Sequence, residues 1–355
     1  MNVISNIQKT LFAVLFILFS LFLISGQQKK ISSAPDYRGD IRIMFYNTEN
    51  FYDTENDTLH DDEDFLPTSV RKWDQPRYRE KCMHVFKTIA AVGGVQPPEI
   101  IGFAEIENRK VLEDLIFKTP LEKYTYKIIH KESDDKRGID AGLIYRPDRI
   151  KCLKYDFIKV VFPWDRKKTT RDIIYFEAMA MKDTIHVFIN HWPSRMGGQK
   201  KSNPNRRFVA LLLKNKVDSI FTQHPGAKII ITGDFNDQPR NESLSIVLAA
   251  EKPAHDFKLK HLYNLSWPLK DSCRCGTYRY GATWDMLDQF IVSASLLTDR
   301  NSLSTCLNCI HIGDFGFLLL EDTKYGGYKP FRTYQGPIYK GGYSDHLPVY
   351  LDLYF

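Results

Sequence analysis

Lys228-Ile-Ile-Ile-Thr-Gly233-Asp234-Phe235-Asn236-Asp237 is the most informative stretch of this chain. A run of β-branched residues makes a buried strand, and the glycine after it ends the run. Asp234 and Asn236 then stand two residues apart, so in extended backbone they share a face. Carboxylate and amide oxygens at a strand end suit a hard cation or a water beside phosphate. Taken alone, the segment reads equally as a turn, because Gly, Asp and Asn end strands for local reasons.

Four other segments repeat the design and move the balance away from a simple turn. Ile41–Tyr46 runs into Asn47-Thr48-Glu49-Asn50, and Ile100–Ala104 into Glu105-Ile106-Glu107-Asn108. Thr184–Ile189 runs into Asn190-His191-Trp192, while Ser344-Asp345-His346 stands immediately before the apolar run Leu347–Leu353. In layered α/β proteins, polar residues at strand ends are where active sites assemble.

Further strand-like runs fall at 126–130, 141–146, 172–181 and 287–293. Apolar residues at helical spacing predict helices around Tyr78–Ala90, entered by Pro76, around Val111–Ile116, and around Phe208–Ile220. Many strands with few, separated helices imply packed sheets flanked by helices. The absence of any long Pro-, Gly- or Ser-rich linker makes residues 40–355 one domain.

Lys9 followed by the apolar block Leu11–Ile24 and then Ser25-Gly26 reads as a secretory signal peptide over 1–26. Residues 27–39 form a short lead-in. The expectation is an exported protein, periplasmic or extracellular; an uncleaved membrane anchor is the alternative. The formal charge of +6 is mildly basic, which suits a phosphate-bearing ligand without requiring nucleic acid.

Export permits disulfides. Cys273/Cys275 and Cys306/Cys309 form two close pairs, for which a cross-link between the two segments is expected. Cys82 and Cys152 read as buried thiols. The acidic stretch Asp53–Asp64 reads as a solvated loop, since it lacks the ligand spacing of a calcium-binding loop.

The ordered set Tyr46-Asn-Thr-Glu-Asn50, Ala104-Glu-Ile-Glu-Asn108, Asn190-His-Trp192, Gly233-Asp-Phe-Asn-Asp237, Leu287-Asp-Gln289 and Ser344-Asp-His-Leu-Pro-Val349 resembles the endonuclease/exonuclease/phosphatase superfamily. The resemblance spans residues 40–355 and is nearest to the secreted bacterial branch. It implies a deoxyribonuclease I-like four-layered α/β sandwich, with two mixed β-sheets packed face to face and flanked by helices. It also implies Mg2+ as cofactor, with Mn2+ or Ca2+ as alternatives.

By the same resemblance Glu105, Asn47 and Asp345 form the metal site; Glu49 and Glu107, two residues further along and so on the same strand faces, are the first alternatives. Asp234 and Asn236 orient water and bind phosphate. His346, oriented by Asp288, is catalytic, and His191 is the general acid. Arg137, Asn236 and Arg195 face the substrate phosphate. Glu107 also reads as a helix cap and Asp237 as a turn residue. Basic residues from Arg195 to Arg207, and Tyr325, Tyr328, Phe331, Tyr334 and Tyr339, read either as nucleic-acid contacts or as self-packed surface loops.

The function expected from these residues is a secreted, metal-dependent phosphoesterase, foremost an endonuclease acting as a monomer on nucleic-acid phosphodiesters. A sphingomyelinase-type lipid phosphodiesterase or a phosphomonoesterase is the enzymatic alternative. A surface binding protein on the same fold is the non-enzymatic one.

Overall fold

The β-branched runs form the strands of two large sheets. In a computed structural model, residues 38–355 are described, except Arg274, Arg300 and the Cys273 side chain. The proposed signal peptide and most of the lead-in therefore lie outside the described residues. The strands of the two sheets are, in chain order, β1 (Ile41–Phe51), β2 (Ile100–Ile106), β3 (Lys127–His130), β4 (Asp140–Tyr145), β5 (Ile150–Ile158) and β6 (Ile173–Ala180). There follow β7 (Asp183–His191), β8 (Lys228–Asp234), β9 (Ala250–Glu251), β10 (Leu262–Asn264), β11 (Asp288–Ser293), β12 (Ile310–Ile312) and β13 (Val349–Leu353).

The six-stranded sheet has the order β12-β13-β1-β2-β4-β3, and the seven-stranded sheet β5-β6-β7-β8-β11-β10-β9. Both are mixed: β1 pairs β2 in parallel and β13 antiparallel, while β7 pairs β8 in parallel and β6 antiparallel. Their inner faces share one core, where Ile43 and Phe45 meet Val187, Ile189, Ile230 and Phe290. A side chain at Gly102 would bring its Cβ to 2.5 Å from Ile189 Cδ1, so only glycine lets the sheets approach this closely there.

Helices cover both outer faces. Helices α1 (Gln75–Gly93) and α2 (Arg109–Phe117) set Val85, Ile89 and Leu112 against Met44, Ile101 and Phe103. Helix α3 (Gln199–Gln223) sets Val209, Leu213 and Val217 against Phe188, Ile229 and Ile231. Full burial of each such side chain stabilises the fold by about 1.5–3 kcal/mol relative to exposure. The result is a helix–sheet–sheet–helix sandwich of the deoxyribonuclease I type.

Four expectations need correction. Cys306 and Cys309 are bonded to each other, and Cys275 is also disulfide-bonded, so no bridge joins the two segments. The basic stretch after His191 is largely helical: α3 begins at Gln199 and carries Pro204 inside it. Its Arg206 is fully buried, with Nε 2.7 Å from Asp237 Oδ2, because a buried guanidinium needs a counter-charge. Asp237 is thus an ion-pair partner as well as a turn residue.

The acidic stretch is not uniformly solvated. Asp53 and Asp62 are buried, Asp53 against Lys110 at 3.0 Å. Glu107 does not cap α2, for Asn108 does so by accepting the Val111 N–H at 3.0 Å. Buried Glu107 accepts the Asp53 N–H instead. Strand β5 has no counterpart in the sequence reading, because its exposed polar residues blur the alternation.

Candidate active site

Three strand ends of the seven-stranded sheet put one row of side chains side by side. His191 on β7 stands opposite Asp234 on β8, and Asp234 stands opposite Asp288 on β11. Partners in register point to the same side of a sheet, so the row is a direct consequence of strand pairing. At Gly233 an added Cβ would lie 2.2 Å from the Asn190 carbonyl oxygen, so glycine is required for β7 and β8 to close up here. Beyond it the chain turns at Asn236, with φ of 50°. Asn236 N–H donates to Asp234 Oδ1 at 2.8 Å, and its side-chain amide donates to the Trp192 carbonyl at 3.0 Å.

The six-stranded sheet faces this row with its own strand ends. Asn47 on β1 donates through Nδ2 to Asp234 Oδ2 at 3.1 Å, tying the two sheets together. Glu105 sits on an irregularity of β2 with φ of 63°, a conformation that costs a non-glycine residue on the order of 1–3 kcal/mol. That turn aims its carboxylate into the cleft, where Oε2 accepts the Asn50 N–H at 2.8 Å. His346, in the turn before β13, reaches across to Asp288, with Nδ1 2.7 Å from Oδ2.

The two histidines share a neighbour and differ in charge. His346 Nε2 lies 3.9 Å, and His191 Nε2 3.8 Å, from the same Asp234 Oδ2. Burial disfavours charge on His346, but Asp288, Asp234 and Asp345 outweigh it and hold its pKa well above the ordinary value. Burial also acts on His191, and there Arg171, Arg137 and His346 add to it, holding its pKa well below. Asp234 is pushed up to about 6 by burial and Asp288, against the pull of His346.

These groups open on a cleft of about 580 Å³. Glu105, Arg137, His191, Arg195, Asp234, Asn236, Asp345 and His346 line it, while Asn47 and Asp288 stand behind Asp234 and His346. Arg195 has its donors engaged: Nε on the Asn236 carbonyl at 2.7 Å and Nη1 on Asp285 at 3.1 Å, which braces the Asn236 turn. Glu49 does not reach the cleft; it is buried against Arg332 at 3.1 Å and accepts the Thr333 N–H at 2.6 Å.

Sequence reasoning missed the opposite wall. The hairpin of Tyr278–Tyr280 and Thr283–Asp285 presents Tyr278, Tyr280 and Asp285, with the Tyr278 ring 4.9 Å from the His346 ring. The alternation Tyr278-Arg-Tyr280 before Gly281 is its signal. Arg332 was also missed; it bridges Glu49 and Asp345, at 2.8 Å from Asp345 Oδ2.

An adjoining groove of about 720 Å³ shares Arg137 and Ser194 with the cleft and adds Trp164, Lys168, Arg171 and Lys201. Trp164 is 54 % exposed there.

The donor set fits a hard cation. Glu105 and half-buried Asp345 offer carboxylate oxygens, and Asn47 keeps one lone pair on Oδ1 beyond the hydrogen bond from the Glu49 N–H. Asp234, Asp288 and His346 also place one ligand atom each within 4.8 Å of one another, although His346 Nδ1 is engaged by Asp288.

Residues 42–354 match the sequence profile of the Endonuclease/Exonuclease/phosphatase family. No curated protein sequence matches the chain. Among solved structures, D. rerio TDP2 complexed with single strand DNA product is similar at 14% identity and a TM-score of 0.52, over 89% of this chain and 99% of that one. The human Nocturnin catalytic domain with bound sulfate anion is similar at 16% identity and a TM-score of 0.52, over 90% and 96%. The mannosyl-6-phosphatase of Bacteroides thetaiotaomicron is similar at 15% identity and a TM-score of 0.52, over 89% and 100%. The chain belongs to the Endonuclease/Exonuclease/phosphatase family of metal-dependent phosphoester hydrolases.

Proposed function

We propose that this protein is an exported phosphodiesterase that hydrolyses nucleic acid. The observation that carries the reading is the row His191–Asp234–Asp288, completed by His346 from the other sheet. It supplies a carboxylate to hold water between one neutral and one cationic imidazole. Asp234 orients the attacking water and takes its proton, a role suited to a carboxylate pushed up to about 6. Asn236 holds that carboxylate through its backbone N–H and borders the place where the phosphate would lie. His346, kept cationic by Asp288, stabilises the negative charge that builds on the phosphoryl oxygens. His191 is neutral in the free protein; an adjacent phosphate raises its proton affinity, and it then protonates the departing oxygen.

A divalent cation held by Glu105, Asp345 and Asn47 would neutralise the phosphate and stabilise the leaving oxygen. Arg137 faces the same cleft with a half-exposed guanidinium suited to a phosphate oxygen.

The adjoining groove supports a polymeric substrate. An exposed tryptophan beside Lys168 and Lys201 combines a stacking face with charge along a phosphate backbone. The Tyr278–Tyr280 wall favours a second reading, a sugar-phosphate phosphomonoesterase, because it narrows one side of the cleft beside His346.

The test is protein with Mg2+ or Mn2+ against plasmid DNA, single-stranded oligonucleotides, RNA, sphingomyelin and mannose 6-phosphate. Cleavage of nucleic acid, abolished by Glu105→Ala with unchanged circular dichroism, is expected. Phosphate release from the sugar phosphate with intact nucleic acid would establish the second reading, and cleavage of sphingomyelin alone would overturn both. Inactivity on all five would favour a binding protein. Export is tested by mass spectrometry of secreted protein, which should not begin at Met1.

A further inference from the structure

The segment 131–139 leaves β3 and returns into β4, carrying Arg137 to the catalytic cleft. Its two ends meet at a cluster outside that cleft, made of His130, Glu132 and Asp140. The His130 side chain is 2 % exposed, and its Nε2 has no hydrogen-bond partner among the described residues. It points at Asp140 Oδ2, 3.7 Å away, while Nδ1 lies 3.8 Å from Glu132 Oε1. Both separations are too long for hydrogen bonds. Asp140 uses Oδ1 to accept the Ser133 N–H at 3.1 Å, its carboxyl also contacts the Glu132 carboxyl at hydrogen-bond range, and Oδ2 is the oxygen that faces the imidazole.

A buried nitrogen aimed at a carboxylate without bonding it is an arrangement that proteins normally avoid. Atoms each about 2.0–2.2 Å from one ion stand roughly 3–3.6 Å apart at tetrahedral or octahedral angles, close to the 3.7 Å between His130 Nε2 and Asp140 Oδ2. One ligand atom from each of the three residues falls within a common 4.8 Å. Burial pushes Asp140 up to about 8 and His130 down to about 4, so without a compensating charge both are neutral near pH 7. A bound cation reverses that cost by favouring the carboxylate and coordinating the neutral imidazole.

We propose that His130, Glu132 and Asp140 form a second divalent-cation site, separate from the catalytic cleft, which clasps the two ends of the Arg137 segment. Imidazole with two carboxylates suits Zn2+ or a similar transition ion, whereas Mg2+ and Ca2+ prefer oxygen ligands alone. The site's role is positional: the segment between its ligands holds Arg137 at the cleft. That segment is also secured by the Tyr52 hydroxyl donating to the Arg137 carbonyl at 2.6 Å, the Asp61 N–H on the Lys136 carbonyl at 2.7 Å, and ion pairs of Lys131 with Asp172, Asp134 with Lys159 and Asp135 with Arg171.

The experiment uses the full chain carrying Glu105→Ala, which weakens the catalytic metal site, stripped with chelator and titrated with Zn2+ by calorimetry. One equivalent is expected to bind, with a visible spectrum of nitrogen ligation when Co2+ replaces Zn2+. Adding His130→Ala should abolish that equivalent. Adding Glu132→Gln, at an exposed position that leaves folding intact, should weaken it at least tenfold. Zn2+ should also slow tryptic cleavage after Lys136 and Arg137. No binding to the Glu105→Ala protein, or binding unchanged by Glu132→Gln and His130→Ala, would overturn the proposal.

Discussion

His191 and His346 are both buried and nearly equidistant from the same oxygen of Asp234, yet their proton affinities move in opposite directions. Desolvation is common to both and disfavours charge in each. The difference lies in what stands behind the rings. His346 has Asp288 at 2.7 Å and Asp345 beside it in the chain, whereas His191 looks toward Arg171 and Arg137 and leaves Nδ1 without a hydrogen-bond partner among the described residues. One residue type in one cleft thus gains two charge states from groups on different strands.

Removing the carboxylate behind His346 should break the comparison with the largest effect. Asp288→Asn is expected to lower turnover by about 10³–10⁴-fold, as loss of a histidine-orienting carboxylate does in hydrolases. The alkaline limb of its pH–rate profile should also move to lower pH, because His346 would lose its proton sooner. An unmoved limb would mean that Asp288 does not set the charge of His346.

Arg171→Ala acts on the other histidine. Its Nη2 donates to the Trp192 carbonyl at 2.8 Å and its Nη1 to Asp135 at 3.0 Å, so the cation is fixed close to His191. Without it the His191 pKa should rise, read from imidazole resonances by NMR. No shift would leave the depression to burial, Arg137 and His346.

The third prediction asks whether burial without a counter-charge acts the same way on a carboxyl. Burial, then the charges of Asp53 and Asp62, push Glu107 up to about 8 from an unfolded value of 4.5, although the Asp53 N–H bond opposes them. The folded state therefore binds more protons between these values, and stability is lost as pH rises from about 4.5 to about 8. In chelator, the melting temperature should fall across that window, and Glu107→Gln should flatten the fall. An equally steep fall in the variant would assign the dependence to other buried acids such as Glu49.

The smallest effect is expected where neither burial nor a shared neighbour operates. Arg109 and Glu113 pair at 2.8 Å on the exposed face of α2, and Glu113→Ala should change stability by no more than about 0.5 kcal/mol in denaturant titration. A larger loss would show that α2 holds the β2 end more tightly than its apolar face explains.

The sequence by itself determined which residues stand at the strand ends. Runs such as Ile229-Ile-Ile-Thr232 commit to strand locally, and the polar residue that ends each run is read directly from the order of amino acids. That is why Glu105, His191, Asp234 and His346 could be named as candidates before any contact was known, and why the layered fold was legible once the motifs were taken together. Tertiary structure alone decided how those ends are shared out. Strand pairing placed Asp288 beside Asp234, and the packing of one sheet on the other brought Asn47 to Asp234 and His346 to Asp288. It also buried Arg206 on Asp237 and closed Cys306 on Cys309, choices invisible in a linear order. Charge state and ion-pair partner depend on neighbours far apart in the chain, and burial multiplies the energy of each such contact, so these properties belong to the fold.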